Sequence, residues 1–427
     1  MPVFTSSIEV TADYPTIKPS LNLNFARARA LDPRITFTRA SVGTYVGRDG
    51  LIKTAGNNEA RFDHDPVTLE SLGLLIEESR TNSLTYSQPT SAASFGSNGT
   101  FTYNAATAPN GATEAFRITH NGSSGNSNWR ATRGITFGAN SMVLSIWAKG
   151  DGGNNYFVWS FQNLGGAIVR AGFKLEGDGE TSIMTNGNGG HTLQIEKYPD
   201  GWYRCIIIGN TQSSGGTTQF LYTASAYSEF SSISGGSVLL WGFQLEEGSF
   251  PTSYIPTSGT AATRAQDTPL ITGTNFTDFY NQSEGTLVLS ADIGYLPVSN
   301  QSAVVFEDTS SQSTDLIALG YRVGGGASGN LGGWYQGNGA AVTFKDHSVG
   351  VTVNSEFRQA FAYKTDDLAS VVNGTTPLTD NSGTLSTSID RVRFGEYYAD
   401  GMTSGHIRQF KYYPKRLTNA QLQLLTS

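Results

Sequence analysis

Short runs of apolar or alternating residues recur along the whole chain, each closed after a few residues by Gly, Asn, Ser or Asp. Such spacing leaves little room for long amphipathic helices and favours short strands joined by tight turns. Candidate strands fall at 115–119, 142–148, 156–161, 167–175, 192–196, 202–208, 219–223 and 237–245. A second series falls at 285–291, 303–307, 316–322, 333–335, 356–363, 369–372, 391–395 and 406–412. The 50 glycines and 14 prolines among 427 residues are spread evenly enough to serve as the turns between them. With 38% hydrophobic and 15% charged residues, the chain departs from the composition of a disordered tail. The fold class expected is all-β: an extended N-terminal segment over residues 1–83, then two antiparallel β-sandwiches over 84–265 and 266–427.

Within the first segment, Pro15 and Pro19 bracket an extended arm, and Ile35-Thr36-Phe37-Thr38 alternates as a half-buried strand. Thr44-Tyr45-Val46 and Leu51-Ile52 flank Asp49-Gly50, a strong hairpin signal. A piece this small buries little by itself and is expected to pack on a partner chain or on the next domain. Residues 251–268, PTSYIPTSGTAATRAQD followed by Thr268, read as a linker. The expected helix is confined to the last ten residues, where Thr418 can cap a turn carrying Leu417, Leu422 and Leu425 at helical spacing. Thr-Arg-Ala occurs at 38–40 and again at 263–265, an echo too short to define a repeat.

A net charge of −7 argues against nucleic acid, which requires a basic surface to displace counterions. The most basic stretch, Arg27 to Arg39, holds four arginines but also Asp32. No apolar run approaches the roughly 20 residues of a membrane helix, and MPVFTSSIEV lacks the pattern of a signal peptide. A soluble chain made without the secretory route is expected. The single cysteine, Cys205, excludes an internal disulfide and reads as an inert strand residue.

Three stretches carry a family resemblance. LNFARARALDPRITFTRASVGTYVGRDGLI (23–52) and LGLLIEESRTN (72–82) resemble a segment of phage tail-fibre, head-fibre and related virion proteins. VLSIWAKG, GWYRC and VLLWGFQLEEGSFPTSYIPT, between 142 and 257, are similar to carbohydrate-binding-module-like jelly rolls. ASVVNGTTP (369–377) and IRQFKYYPKRLTNAQLQLL (407–425) resemble the hairpin and closing strand of concanavalin-A-like and laminin-G-like sandwiches. The resemblance implies a structural protein of the virion, made in the host cytoplasm, with residues 1–83 docking to other virion proteins. It also implies fibre-like oligomers, a homotrimer above all, although no coiled-coil heptads are present. The ligand implied is a host cell-surface polysaccharide; a polysaccharide-degrading virion enzyme or a purely architectural part are the alternatives.

The residues themselves favour a chain without catalysis. Glu176-Gly177-Asp178-Gly179-Glu180 has the alternate carboxylates of a glycosidase strand, but glycine at both intervening positions favours a solvated turn. His64, His120, His191, His347 and His406 lie far apart, and Asp63-His64-Asp65 before Pro66 reads as a polar turn. No nucleophile elbow occurs, and Gly324–Gly326 and Gly332-Gly333 lack the Lys-Ser/Thr of a phosphate loop. No cofactor or metal is expected. Asp151 with Asn154 and Asn155, or Glu307 with Asp308, can supply calcium oxygens, though neither spacing is diagnostic. Glycan binding would use exposed aromatic faces. Trp129, Trp334 and Tyr335 stand among Gly/Asn/Ser loops, and Tyr397 and Tyr398 precede a turn, so Trp129, Trp334, Tyr335 and Tyr397 are the candidates. Trp334 reads equally well as a strand aromatic packed on its sheet. Trp147, Trp159, Trp202 and Trp241 lie in apolar or alternating strands and are assigned to the core.

Overall fold

In strand Ser141–Asp151, Met142, Leu144, Ile146 and Ala148 enter one buried cluster while Trp147, between them, enters another. The two-residue period of a strand sends alternate side chains to opposite faces, so this strand is covered on both sides. The computed structural model describes residues 14–88, 99–120, 141–164, 167–186, 190–210, 218–229, 236–296, 300–310, 315–324, 327–337, 343–386, 388–397, 401–402 and 404–427. It is an all-β protein of antiparallel sheets, and its residues divide into two compact units. Residues 39–71 and 79–266 make the first; residues up to 38, 72–78 and 267–427 make the second.

In the first unit a six-stranded sheet runs Thr192–Lys197, Trp202–Asn210, Ser141–Asp151, Ser237–Glu247, Thr113–His120, Gly99–Thr107. A four-stranded sheet faces it in the order Glu180–Asn186, Ala167–Lys174, Tyr156–Leu164, Thr218–Thr223. Between them lie Phe116, Leu144, Ile146 and Ile207 of one sheet and Phe157, Trp159, Phe173 and Leu221 of the other. Full burial of such side chains contributes about 1.5–3 kcal/mol each. Cys205 is part of this layer, and burial pushes its thiol well above the ordinary value, as an inert packing residue requires.

The other face of the six-stranded sheet is covered as well. Trp147, Trp241, Trp202, Tyr198 and Tyr254 pack there with Val46 and Ile52 of the hairpin Gly43–Val46/Ile52–Ala55. The hairpin turns where expected: Gly50 has φ +76°, and Asp49 Oδ1 accepts from the Leu51 amide at 3.2 Å. Arg204 lies 4.8 Å over the Trp147 ring and donates to the Thr252 carbonyl at 2.7 Å. Arg61, fully buried, donates to the Thr44 carbonyl and to Ser253 Oγ, both at 2.9 Å.

The linker expected at 251–268 is therefore corrected. Thr252, Tyr254, Ile255 and Thr257 are buried, and Ala262–Arg264 pairs with Arg80–Asn82. Proline denies this strap a regular ladder, so side-chain amides satisfy its backbone: Gln244 Oε1 accepts from the Ile255 amide at 2.6 Å, and Asn82 Nδ2 donates to the Ile255 carbonyl at 2.8 Å. Ser41, which follows Thr38-Arg39-Ala40, accepts at its Oγ from the Ala265 amide at 2.9 Å.

In the second unit one sheet runs Leu378–Asp380, Leu368–Val372, Phe357–Lys364, Glu284–Ala291, Gly405–Tyr413, Ser71–Ile76, with Leu21–Asn24 also paired to Gly405–Tyr413. The other runs Thr36–Thr38, Thr268–Thr272, Arg391–Phe394, Gln301–Glu307, Leu316–Gly324, Ala327–Gln336, Thr343–Gly350. Aromatic rings fill the space between them: Phe306 stacks on Tyr412 at 5.6 Å, and Phe410 meets Phe394 edge-on at 5.5 Å. Helix Asn419–Thr426 covers Val288, Ala360 and Val371 with Leu422 and the preceding Leu417. Thr418 caps it as expected, in a reciprocal capping box with Gln421.

The segment over 1–83, expected to pack on a partner chain or on the next domain, is divided between the two units. Strands Leu21–Asn24, Thr36–Thr38 and Ser71–Ile76 complete sheets of the second unit, while 39–71 and Arg80–Asn82 build onto the first. The reason is the one that made the segment look incomplete: strands of three to six residues gain hydrogen bonds and burial only by joining existing sheets.

Candidate functional site

The aromatic candidates separate once each is placed. Trp334 and Tyr335 are only 2% and 3% exposed, which corrects their assignment as exposed sugar platforms. Both lie in strand Ala327–Gln336, where neighbours point to opposite faces. Trp334 packs with Val305, Leu316 and Ala318, and Tyr335 donates its hydroxyl to the Thr384 carbonyl. Tyr397 belongs to the two-residue strand Glu396–Tyr397, paired with Gly401–Met402; its side chain is outside the described residues, as are Trp129 and Tyr398. The four tryptophans assigned to the core are buried, none more than 2% exposed.

An aromatic platform does occur on the outer face of the four-stranded sheet. Phe157 and Phe173 point inward, so Tyr156 and Lys174 point outward, and pairing aligns Tyr156, Lys174 and Glu180 in one cross-strand row. Beyond Thr223 the chain turns back over this face. The Tyr227 ring stacks on Tyr156 with centroids 6.4 Å apart and planes 22° from parallel. This approach depends on Gly172, because a Cβ there would lie 1.7 Å from the Tyr227 carbonyl oxygen. Both tyrosines are half-buried.

Polar groups surround the pair. Tyr227 donates its hydroxyl to Glu180 Oε2 at 2.5 Å, and Lys174 Nζ donates to Glu180 Oε1 at 2.6 Å. Lys174 also lies 3.7 Å from Glu176, whose other oxygen accepts from Asn155 Nδ2 at 2.9 Å. The Lys174 hydrogen bond, with that from Tyr227 behind it, holds the Glu180 carboxyl below its ordinary range. The Tyr227 phenol is raised in turn, chiefly by the bond to Glu180. A glycosidase acid needs the opposite shift, because it must keep its proton near neutral pH. Residues 176–179 form a turn that leads into strand Glu180–Asn186, with Gly177 and Gly179 at φ +64° and +81° and Asp178 fully exposed.

The carboxylates considered for calcium have other partners, whereas the Asn154 side-chain oxygen is buried without one among the described residues. Asp151 pairs with Arg117 at 2.5 Å and accepts from Ser237 Oγ, while Asn154 donates to the Tyr156 carbonyl. Glu307 pairs with Arg393 at 2.8 Å, and Asp308 accepts from Ser310. Among the described residues no three His, Cys, Asp or Glu side chains gather as metal ligands, and no helix is long and apolar enough to cross a membrane. The turn expected over Asp63-His64-Asp65 starts later: Asp63 and His64 lie in strand Phe62–His64, and Asp65 opens the turn, its Oδ1 accepting from the amides of Val67 and Thr68 at 2.8 and 2.6 Å.

Sequence reasoning passed over Tyr156 and Tyr227. Strand parity carried a signal for Tyr156, which is out of phase with Phe157 and Trp159; nothing local marked Tyr227, which the returning chain brings across the sheet.

No known family profile matches the sequence, and no curated protein matches it. Among solved structures it is similar to domain 4 of AbnA, a GH43 extracellular arabinanase from Geobacillus stearothermophilus in complex with arabinotriose: 14% identity, TM-score 0.32, covering 42% of this chain and 83% of that one. It is also similar to the Ruminococcus gnavus IT-sialidase CBM40 bound to alpha2,3 sialyllactose, at 15% identity and TM-score 0.29, over 34% of this chain and 84% of that one. A third similarity is to domains LG4-5 of the mouse laminin alpha1 chain, at 11% identity and TM-score 0.22, over 64% of this chain and 83% of that one. At such identities and scores, none of them bears on what this chain binds.

Proposed function

We propose that this chain is a phage virion surface protein, a fibre, spike or decoration, that attaches to host glycan without turning it over. The observation carrying the glycan reading is the stacked, half-buried Tyr156–Tyr227 pair with Lys174, Glu180 and Asn155 around it. A sugar laid on the rings places its apolar C–H face on the aromatic surface, and its hydroxyls exchange hydrogen bonds with the charged groups beside it. Lys174 is already matched by Glu180 and Glu176, so this site suits a neutral saccharide. The virion reading rests on the resemblance of residues 23–52 and 72–82, whose strands are built into both sandwiches. Oligomers, with a homotrimer first, follow from that resemblance and are testable by sedimentation.

A glycan array probed with the full chain tests the reading. Binding to neutral glycans is expected, falling about tenfold in Tyr156→Ala, in keeping with loss of one aromatic contact. No binding by the unmodified chain, or equal binding by Tyr156→Ala and Tyr227→Ala, overturns it. Released reducing ends that disappear in a Glu176→Ala, Glu180→Ala double variant would replace it with the enzyme reading.

A further inference from the structure

The second sandwich carries an open face of a different kind. Strand Gly405–Tyr413 lies between Glu284–Ala291 and Leu21–Asn24. Its Phe410 and Tyr412 point into the aromatic core, so Gln409 and Lys411 point out. Register sets two cross-strand rows on this outer face: Asn22, Lys411, Val288, Ala360, and beside it Asn24, Gln409, Ser290, Arg358. The C-terminal helix packs over Val288 and Ala360. Asn22 and Arg358 stay exposed, and Asn24, Ser290, Gln409 and Lys411 are half-buried, so a polar strip remains open beside the helix.

The charges in this strip do not cancel. Arg358 Nε donates to Glu356 Oε1 at 2.9 Å, and Ser290 Oγ donates to the same oxygen at 2.8 Å. Arg358 also donates to the Ser427 carbonyl, so its fork is engaged. Lys411, by contrast, makes no side-chain hydrogen bond or ion pair among the described residues. Partial burial, and then the like charge of Arg358, push its ammonium below the ordinary lysine value. A half-buried cation with no counter-charge weakens the fold, and an apolar residue would pack better at this place.

We propose that this strip binds an acidic saccharide, with the Lys411 ammonium taking one sugar carboxylate and Asn22, Asn24, Gln409 and Ser290 meeting the ring hydroxyls. One point charge matches a monoanionic carboxylate. The backbone amides of Gly405–Tyr413 serve the sheet on both sides, so they form no nest for a phosphate. An extended strip along a sheet face also suits a polymer more than a small ion.

The test is calorimetric titration of the full chain with polygalacturonic acid and with its fully methyl-esterified form. The acid is expected to bind at least about tenfold more tightly than the ester, with the difference shrinking as salt rises. Lys411→Gln should lose about tenfold for the acid alone, Lys411→Arg should retain binding, and Lys411→Met should lose binding while melting at a higher temperature than the parent. Equal affinity for acid and ester, no affinity for the acid, or an unchanged Lys411→Gln variant overturns the proposal. Tyr156→Ala serves as the control: acid binding that survives it belongs to the strip, and acid binding that vanishes with it belongs to the first sandwich and overturns the strip. Thermal melts of each variant separate loss of binding from loss of fold.

Discussion

The two open strips are built alike and charged differently. Each is a set of cross-strand neighbours on an outer sheet face, bordered by a segment that crosses the sheet. On the first sandwich Lys174 is answered by Glu180 and Glu176, and the apolar surface comes from two tyrosines. On the second, amides and a hydroxyl replace the rings, and Lys411 has no counter-charge among the described residues. The covered faces show the converse. The six-stranded sheet buries Trp147, Trp202 and Trp241 under the hairpin and strap, and the second sandwich buries Val288, Ala360 and Val371 under its helix. What a strand carries on its outer face thus follows whether another segment covers it. Aromatic residues occur in both settings, so an aromatic residue alone does not mark a binding face.

The largest expected effect sharpens that distinction. Trp147→Ala removes a ring that meets Tyr198, Trp241 and Tyr254 at 5.2–5.7 Å and supports Arg204, and should cost about 3–5 kcal/mol in chemical denaturation. Trp334→Ala should fall in the same range. Tyr156→Ala, on an open face, should cost about 1 kcal/mol or less of stability and show itself in glycan affinity. A Tyr156→Ala protein as unstable as Trp147→Ala would erase the contrast between open and covered faces.

Next in size is Gly172→Ala. The new methyl would lie 1.7 Å from the Tyr227 carbonyl and 3.0 Å from the Met184 methyl, so the returning segment must lift from the sheet. Overpacking of this kind costs about 1–3 kcal/mol. Here it should also separate the tyrosine rings, so stability and neutral-glycan affinity should fall together. Acid-polymer binding by the second sandwich should stay unchanged. Parental affinity for both ligands would mean that the ring pair does not depend on this close approach.

Much of this layout was legible in the sequence, for physical reasons that also explain the gaps. Strands buried on both faces, such as 142–148 and 237–245, announce themselves through apolar content. Gly99–Thr107, Glu180–Asn186 and Thr343–Gly350 did not, and each forms the edge of its sheet, where polar residues are tolerated. The strap at 251–257 read as a linker because its backbone partners, Asn82 and Gln244, are distant side chains. For the site, composition near a loop suggested exposure for Trp334, whereas strand parity and the rows on neighbouring strands decide it. Lys411 looked like any surface lysine; only the register with Asn22, Val288 and Ala360 places it beside a covered face.

A smaller effect is expected at the helix that borders the Lys411 strip. Thr418 Oγ1 accepts from the Gln421 amide at 3.3 Å, and Gln421 Oε1 accepts from the Thr418 amide at 2.9 Å. Thr418→Ala should cost about 1 kcal/mol, as removal of an N-cap generally does. If the helix protects Val288 and Ala360, amide exchange should quicken around them while the first sandwich is undisturbed. Uniform quickening in both sandwiches would show that the helix does more than cover one sheet.

The smallest effect is the titration of Glu180, and its sign is fixed by its partners. Lys174 and Tyr227 stabilise the carboxylate, so its folded value lies below the usual value of about 4.3. The contribution of the ion pair is complete above that usual value and is lost as pH falls through the depressed one. Neutral-glycan affinity should therefore stay level from neutrality down to about pH 4.5 and decline only below it. The group is solvent-exposed, so melting temperature should hardly respond to this titration. Glu180→Gln should remove the acid-side decline, leaving a flat profile. A decline that begins near pH 6, or that persists in Glu180→Gln, would assign it to another group and remove Glu180 from the neutral-sugar site.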